Sequence, residues 1–186
     1  MPSRVCIIKN KNEKVRAASR SGGVFTALSD AILEKRGIVY GCLLNEQFEA
    51  IHSRATTKQE RDNFRCSKYV QSDVKGTFSC VKLDLERGHW VLYSGTSCQI
   101  AGLQSYLKDI DTRKLICIDI VCHGVPSPLM WREYLKFNEC KYRGKVTKVD
   151  FINKTKFGYE IKATGFNKDA AKYVGMNYKR NIILTM

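Results

Sequence analysis

An α/β fold with a mainly parallel sheet flanked by helices, and a more β-rich C-terminal appendage, is what this sequence predicts. Three observations carry that expectation. Short apolar runs rich in branched residues alternate with stretches of helical spacing. One of those runs, "KLICIDIVC" from Lys114 to Cys122, is nearly continuous, as expected of a central strand covered on both faces. Beyond Lys141 the pattern changes to the alternation of hairpin strands. The expected division is an α/β domain over residues 1–140 and a basic, β-rich region over 141–186.

Taken in order, Val5 to Lys9 reads as a short strand, and Ser21-Gly22-Gly23 opens a helix carrying Val24, Phe25, Leu28, Ile32 and Leu33 on one face. Gly37 is expected to stop it before the buried strand Ile38 to Leu44, with Ala50 to Arg54 beside that strand. Thr57 to Phe64 reads as a polar helix, and Asp73 to Glu86 as another that closes at Gly88. A strand from His89 to Tyr93 runs into the corner Ser94-Gly95-Thr96-Ser97, and a helix follows from Cys98 to Leu107. Ser127 and Pro128 have the chemistry of a helix start, leading into Leu129 to Phe137. Lys145 to Ile152 and Glu160 to Phe166 are the expected hairpin strands.

Composition narrows the classes. The chain has 186 residues, 44% of them hydrophobic, enough for a packed core. It contains no run of about 18 apolar residues, so no membrane span is expected, and the N-terminal apolar run is too short for a signal peptide. The default compartment is then the cytoplasm, where the eight cysteines stay reduced. None forms a C-x-x-C pair, which argues against a zinc ribbon or a self-contained ferredoxin motif. Cys6, Cys42, Cys80 and Cys117 lie in or beside apolar runs and read as small packing residues. Net charge is +14, and from Lys141 onward eleven basic residues face three acidic ones. Such a surface draws anions; nucleic acid, suggested by aromatics among lysines at 155–159, is the weaker reading.

In open α/β sheets ligands gather beyond the carboxyl ends of the strands. Three loops fall there: Ser94 to Cys98, Cys122 to Pro128, and the segment after Leu44. Cys98 sits at a helix start, where free N–H groups favour negative charge on sulfur. Its residue chemistry leaves three readings open: a nucleophile with His123 as base in a transferase or hydrolase, an iron–sulfur ligand with Cys122, or packing. Ser21, Gly22 and Gly23 suit a phosphate because glycines let backbone N–H groups approach it, with Arg20 adding charge. The Arg65 to Tyr69 stretch combines cations with an aromatic and could clamp a phosphate or stack on a ring.

Four stretches, "SRSGGVFTAL", "CSKYVQSD", "YSGTSCQIAGL" and "DIVCHGVPSP", occur in an order and spacing that resemble the coenzyme F-420 hydrogenase/dehydrogenase beta-subunit family. The resemblance runs from about Val5 to Leu135. Arg20, Ser97 and Cys66 stand where the family pattern has serine, proline and glycine. What the resemblance implies is a flavoprotein oxidoreductase passing electrons between FAD, a [4Fe–4S] cluster and a soluble hydride carrier such as coenzyme F-420. Ser21, Gly22 and Gly23 would cradle the FAD phosphates, with Lys68 and Tyr69 nearby. Gly95 and Thr96 would face the flavin, Cys98 and Cys122 would ligate the cluster, and His123 and Gly124 would complete the loop beside Cys122. The implied partners are a redox subunit or ferredoxin, in an oligomer. Neither the family's N-terminal ferredoxin-like module nor its C-terminal cysteine segment is found between Met1 and Met186, so the expectation is either an incomplete cluster or a fragment of a longer chain.

Overall fold

A computed structural model describes residues 6–122, 124–149 and 151, arranged in two compact units. The first takes in Met1–Lys68 and Ser72–Val121, and the second Tyr69–Gln71 and Cys122–Met186.

The first unit holds a four-stranded sheet in the order β2-β1-β3-β4, built from β1 (Ile38–Leu44), β2 (Ala50–Ala55), β3 (Val91–Thr96) and β4 (Leu115–Ile120). β1 pairs antiparallel with β2, setting Cys42 opposite His52, while β1–β3 and β3–β4 are parallel. The expected α/β class is therefore present, with a mixed, mostly parallel sheet. Among the described residues five helices belong to this unit: α1 (Glu13–Ser19), α2 (Val24–Glu34), α3 (Lys58–Asp62), α4 (Thr77–Glu86) and α5 (Ser97–Tyr106).

Both faces of β1 and β3 are covered, which is why those strands are apolar without alternation. On one face Ile38, Tyr40, Val91 and Tyr93 pack with Val81 and Leu85 of α4 and Ile100 and Leu103 of α5. On the other, Val39, Leu92 and Ala55 pack with Ile32 of α2 and with Phe64. Each such side chain contributes roughly 1.5–3 kcal/mol of burial. Leu92 and Leu103 are wholly buried and stand at the upper end of that range.

Several expectations need correction. Cys6 to Lys9 forms no strand; the chain there is irregular, and α1 follows. That helix starts because the Asn12 side chain accepts from the amides of Lys14 and Val15, and it buries no residue, so it carries no apolar stripe to read. Gly37 does not take the left-handed cap after α2. Arg36 does, at φ 55°, and Gly37 is required because a Cβ there would stand 2.6 Å from the Trp90 carbonyl oxygen. Asp73 is held beside β2 by backbone bonds to Ala50 and His52, which delays α4 until Gly76 turns the chain. The run around β4 reads as a central strand, yet among the described residues β4 is an edge strand, with Ile116 and Ile120 partly exposed. Cys6 and Cys80 are exposed rather than packed, Cys42 and Cys117 are half-buried, and all eight cysteines are free.

In the second unit Ser127 caps α6 (Pro128–Tyr142) by accepting from the Met130 amide, and Arg143 ends it in the left-handed conformation. Trp131 is its buried residue, stacked on Tyr134 and in tilted contact with Phe151. Residues 145–149 form no strand, against expectation. The remainder of the expected hairpin, apart from Phe151, lies outside the described residues, as do the aromatics among lysines at 155–159. No helix among the described residues is long and apolar enough to cross a membrane.

Candidate functional site

The parallel strands end on one edge of the sheet, and the corner after β3 is built there. Thr96 is the N-cap of α5, and Gln99 reaches back so that its Oε1 accepts the Thr96 amide at 3.0 Å. That bond satisfies one of the donors a helix start leaves over. A Cβ on Gly95 would lie 3.1 Å from the Gln99 amide oxygen and 3.2 Å from the Tyr93 ring, so glycine allows the strand to pass. Ser97 donates to Asp119 of β4 at 2.9 Å, fixing the corner from that side. Cys98 follows, exposed, its sulfur 3.2 Å from the Thr96 hydroxyl.

Gly22 and Gly23 reach the same end of the sheet by topology. Only Lys35–Gly37 separates α2 from β1, and the helix packs against that strand, so α2 begins where β1 finishes. Gly22 is pinned by the chain itself: its carbonyl accepts the Asn10 amide at 2.7 Å, and a Cβ would come within 2.8 Å of the Ile8 oxygen. Gly23 turns the chain at φ 73° and leaves α2 with no side-chain cap. The helix start therefore presents backbone N–H groups, next to the exposed Ser21.

The Arg65–Lys68 segment is anchored to this helix start. Arg65 donates to the Thr26 hydroxyl at 3.3 Å, and the Cys66 thiol contacts the Ala18 carbonyl at 3.7 Å. Lys68 donates to the carbonyls of Asn63 and Arg65 at 3.0 and 2.8 Å, which leaves one ammonium hydrogen without a partner among the described residues. Burial pushes the Lys68 ammonium below its ordinary pKa, opposed by the nearby thiols of Cys42 and Cys66. Burial likewise pushes the Cys42 thiol up, with Lys68 and Ser72 working against the rise.

Sequence reasoning missed a buried polar chain that meets the corner. His52 is 7% exposed and stacks on Tyr93 with centroids 5.3 Å apart. Its Nε2 lies 3.0 Å from the Ser94 carbonyl and its Nδ1 2.9 Å from the Ser72 hydroxyl, which in turn lies 2.8 Å from Gln99 Nε2. Burial lowers the His52 pKa, the Ser94 bond opposing it. The signal present in the sequence was His52 at a strand position that pairing with β1 would direct to the same face as Cys42.

The second unit carries the remaining candidates. Cys122 accepts the Gly124 amide at 3.4 Å, and Gly124 adopts φ 111°, a conformation that favours glycine. The Gln71 amide donates to the Pro126 carbonyl at 3.1 Å, tying the Tyr69–Gln71 segment to that loop, and Tyr69 packs on Phe151. His123 lies outside the described residues. The first unit thus brings together Gly22, Gly23, Lys68, Gly95, Thr96 and Cys98 at one end of its sheet; the second groups Tyr69, Cys122 and Gly124.

The donor set differs in its fit to the two implied groups. Uncapped helix N–H groups and a spare ammonium hydrogen match the diphosphate of a dinucleotide. A [4Fe–4S] cluster takes four thiolates. Among the described residues no group of three or more His, Cys, Asp or Glu side chains could hold a metal, so these residues do not fit a complete cluster.

Fold and corner together define an α/β domain with a mixed, mostly parallel sheet and a glycine corner at the carboxyl end of β3. Residues 88–180, half of the chain, match the family described as the C-terminal region of the coenzyme F420 hydrogenase/dehydrogenase beta subunit, and this protein belongs to that family. A chain of the F420-reducing [NiFe] hydrogenase complex from Methanosarcina barkeri shares the fold, with a TM-score of 0.52 at 19% identity. The similarity covers 69% of this chain and 47% of that one, so the present chain spans about half its length. No curated protein matches the sequence.

Proposed function

We propose that this chain is the flavin-binding part of an oxidoreductase, holding FAD at the carboxyl end of its sheet. The observation that carries the reading is the placement, at the carboxyl end of the sheet, of the uncapped start of α2 and the glycine corner before Cys98, with Lys68 on the segment anchored to α2. Family membership supports the redox class. When bound, FAD supplies the exchange between two-electron hydride transfer and single-electron transfer.

The chain's own residues would bind and orient. Backbone N–H groups of the first turn of α2 and the free Lys68 hydrogen would take the diphosphate. Gly95 and Thr96 would border the ring, and a Cβ at 95 would crowd Gln99 and Tyr93, which shape the corner. Cys98, beside the Thr96 hydroxyl, and Cys122, which accepts the Gly124 amide, would each offer one sulfur ligand, short of a complete cluster. A soluble hydride carrier of the coenzyme F-420 kind and a redox partner subunit or ferredoxin complete the proposed role.

The test is an anaerobic absorption spectrum after incubation with FAD and desalting, with flavin and iron counted per chain. Stoichiometric flavin that is lost in a Lys68→Gln variant supports the assignment. A colourless chain that retains no FAD would overturn it.

A further inference from the structure

We propose that His52 is a positioning residue for the corner that carries Cys98, acting as the neutral Nε2–H tautomer through Ser72 and Gln99. The role rests on reading that corner as part of the redox site, whereas the tautomer and the hydrogen-bond direction rest on geometry alone.

The direction of every bond follows from what each atom can do. The Ser94 carbonyl only accepts, so the His52 Nε2 that lies 3.0 Å away carries the hydrogen. The Thr96 amide only donates, so Gln99 turns its oxygen toward Thr96 and its NH₂ toward Ser72. Ser72 Oγ therefore accepts from Gln99 and has its own hydrogen to give, and the bare Nδ1 of His52, 2.9 Å away, receives it. The opposite tautomer would set the Nε2 lone pair against the Ser94 oxygen. The neutral Nε2–H tautomer satisfies all five residues.

The corner needs this tie because of where the ladder stops. Pairing of β1 with β3 ends at Tyr40 and Tyr93, whereas β3 and β4 stay paired as far as Thr96 and Ile120. From Ser94 onward the β1 side of β3 has no ladder partner, and there the His52 ring spans from β2 to the Ser94 carbonyl. Tyr93 holds the ring from its face, the planes 11° apart. Through Ser72 and Gln99 the same ring reaches the Thr96 amide, two residues before Cys98.

Two measurements on the full chain decide the matter. Long-range proton–nitrogen correlation of the His52 ring at about pH 7.5 reads the tautomer directly; Nε2–H is expected, and Nδ1–H or averaging between the two would overturn the proposal. Amide hydrogen exchange of His52→Ala, His52→Gln and Ser72→Ala then reads position, the milder Ser72→Ala standing in should His52→Ala not fold. Exchange at Thr96 to Gln99 is expected to speed up about tenfold in His52→Ala and Ser72→Ala, with Leu85 on α4 unchanged. His52→Gln, which keeps a donor toward Ser94, should recover most of the protection. Acceleration everywhere, or nowhere, would overturn the positioning role. Wild-type chain that shows the tautomer and the local protection but binds no FAD would refute the redox reading and leave the positioning role standing.

Discussion

Tyr40 donates its phenolic hydrogen to Asp84 Oδ2 at 2.6 Å, joining the central strand to α4 inside the core. Arg54 of β2 grips the same carboxylate through two bonds, at 2.8 and 3.1 Å. Burial together with Asp84 pushes the Tyr40 phenol far above its ordinary range. Replacing Tyr40 by Phe removes one partner from a buried carboxylate and is expected to cost about 1–3 kcal/mol in urea unfolding.

Tyr93 supplies the contrast, one strand away. Its hydroxyl is buried without a hydrogen-bond partner of good geometry among the described residues. Burial pushes its phenol up to about 12, against a smaller effect of the Thr77 hydroxyl. Removing an unsatisfied polar atom releases its desolvation penalty, so Tyr93→Phe should be neutral or stabilising by about 1 kcal/mol. The two substitutions delete the same atom, and parallel urea titrations are expected to show a loss of stability in Tyr40→Phe and none in Tyr93→Phe.

Gly22 separates a structural glycine from a ligand-binding one. A methyl group there would meet the Ile8 oxygen at 2.8 Å, backbone against side chain, whether or not a ligand is present. Gly22→Ala should therefore lower the melting temperature of FAD-free chain, by an amount matching roughly 1–3 kcal/mol of overpacking. A substitution that leaves the FAD-free melt unchanged and weakens only FAD binding would assign this glycine to the ligand instead.

Much of the fold was legible because β1 and β3 are covered twice and write that fact as unbroken apolar runs. The same rule misplaced β4: an apolar run states the preference of its residues, not which neighbours the sheet supplies, and β4 lies at the edge of the described sheet. α1 was illegible for the opposite reason. It buries nothing, and only Asn12 marks its start. Of the site, the corner at Gly95 to Cys98 could be found because glycine and a helix start concentrate there. The His52 chain could not, since Ser72 and Gln99 are 20 and 27 residues from their partners in sequence and meet only after the sheet forms.

His52 also gives stability a pH dependence whose sign can be worked out. Burial holds its folded pKa below the ordinary 6.5, the Ser94 bond opposing the shift. Near and below that pH the unfolded chain binds a proton that the folded chain refuses, so stability rises with pH there. The contribution is complete above 6.5 and drains away as pH falls toward the folded value. Asp84 adds a second, lower window. Burial works to raise its pKa, but the bonds from Arg54 and Tyr40 outweigh it and the net shift is downward from 3.8. Its contribution is present above 3.8 and lost as pH falls through the folded value. Urea midpoints should therefore drop as pH falls below 6.5, and again as it falls below 3.8. His52→Gln should flatten the first drop and leave the second. Parallel curves for the variant and the wild type across the upper window would show that a different group titrates there.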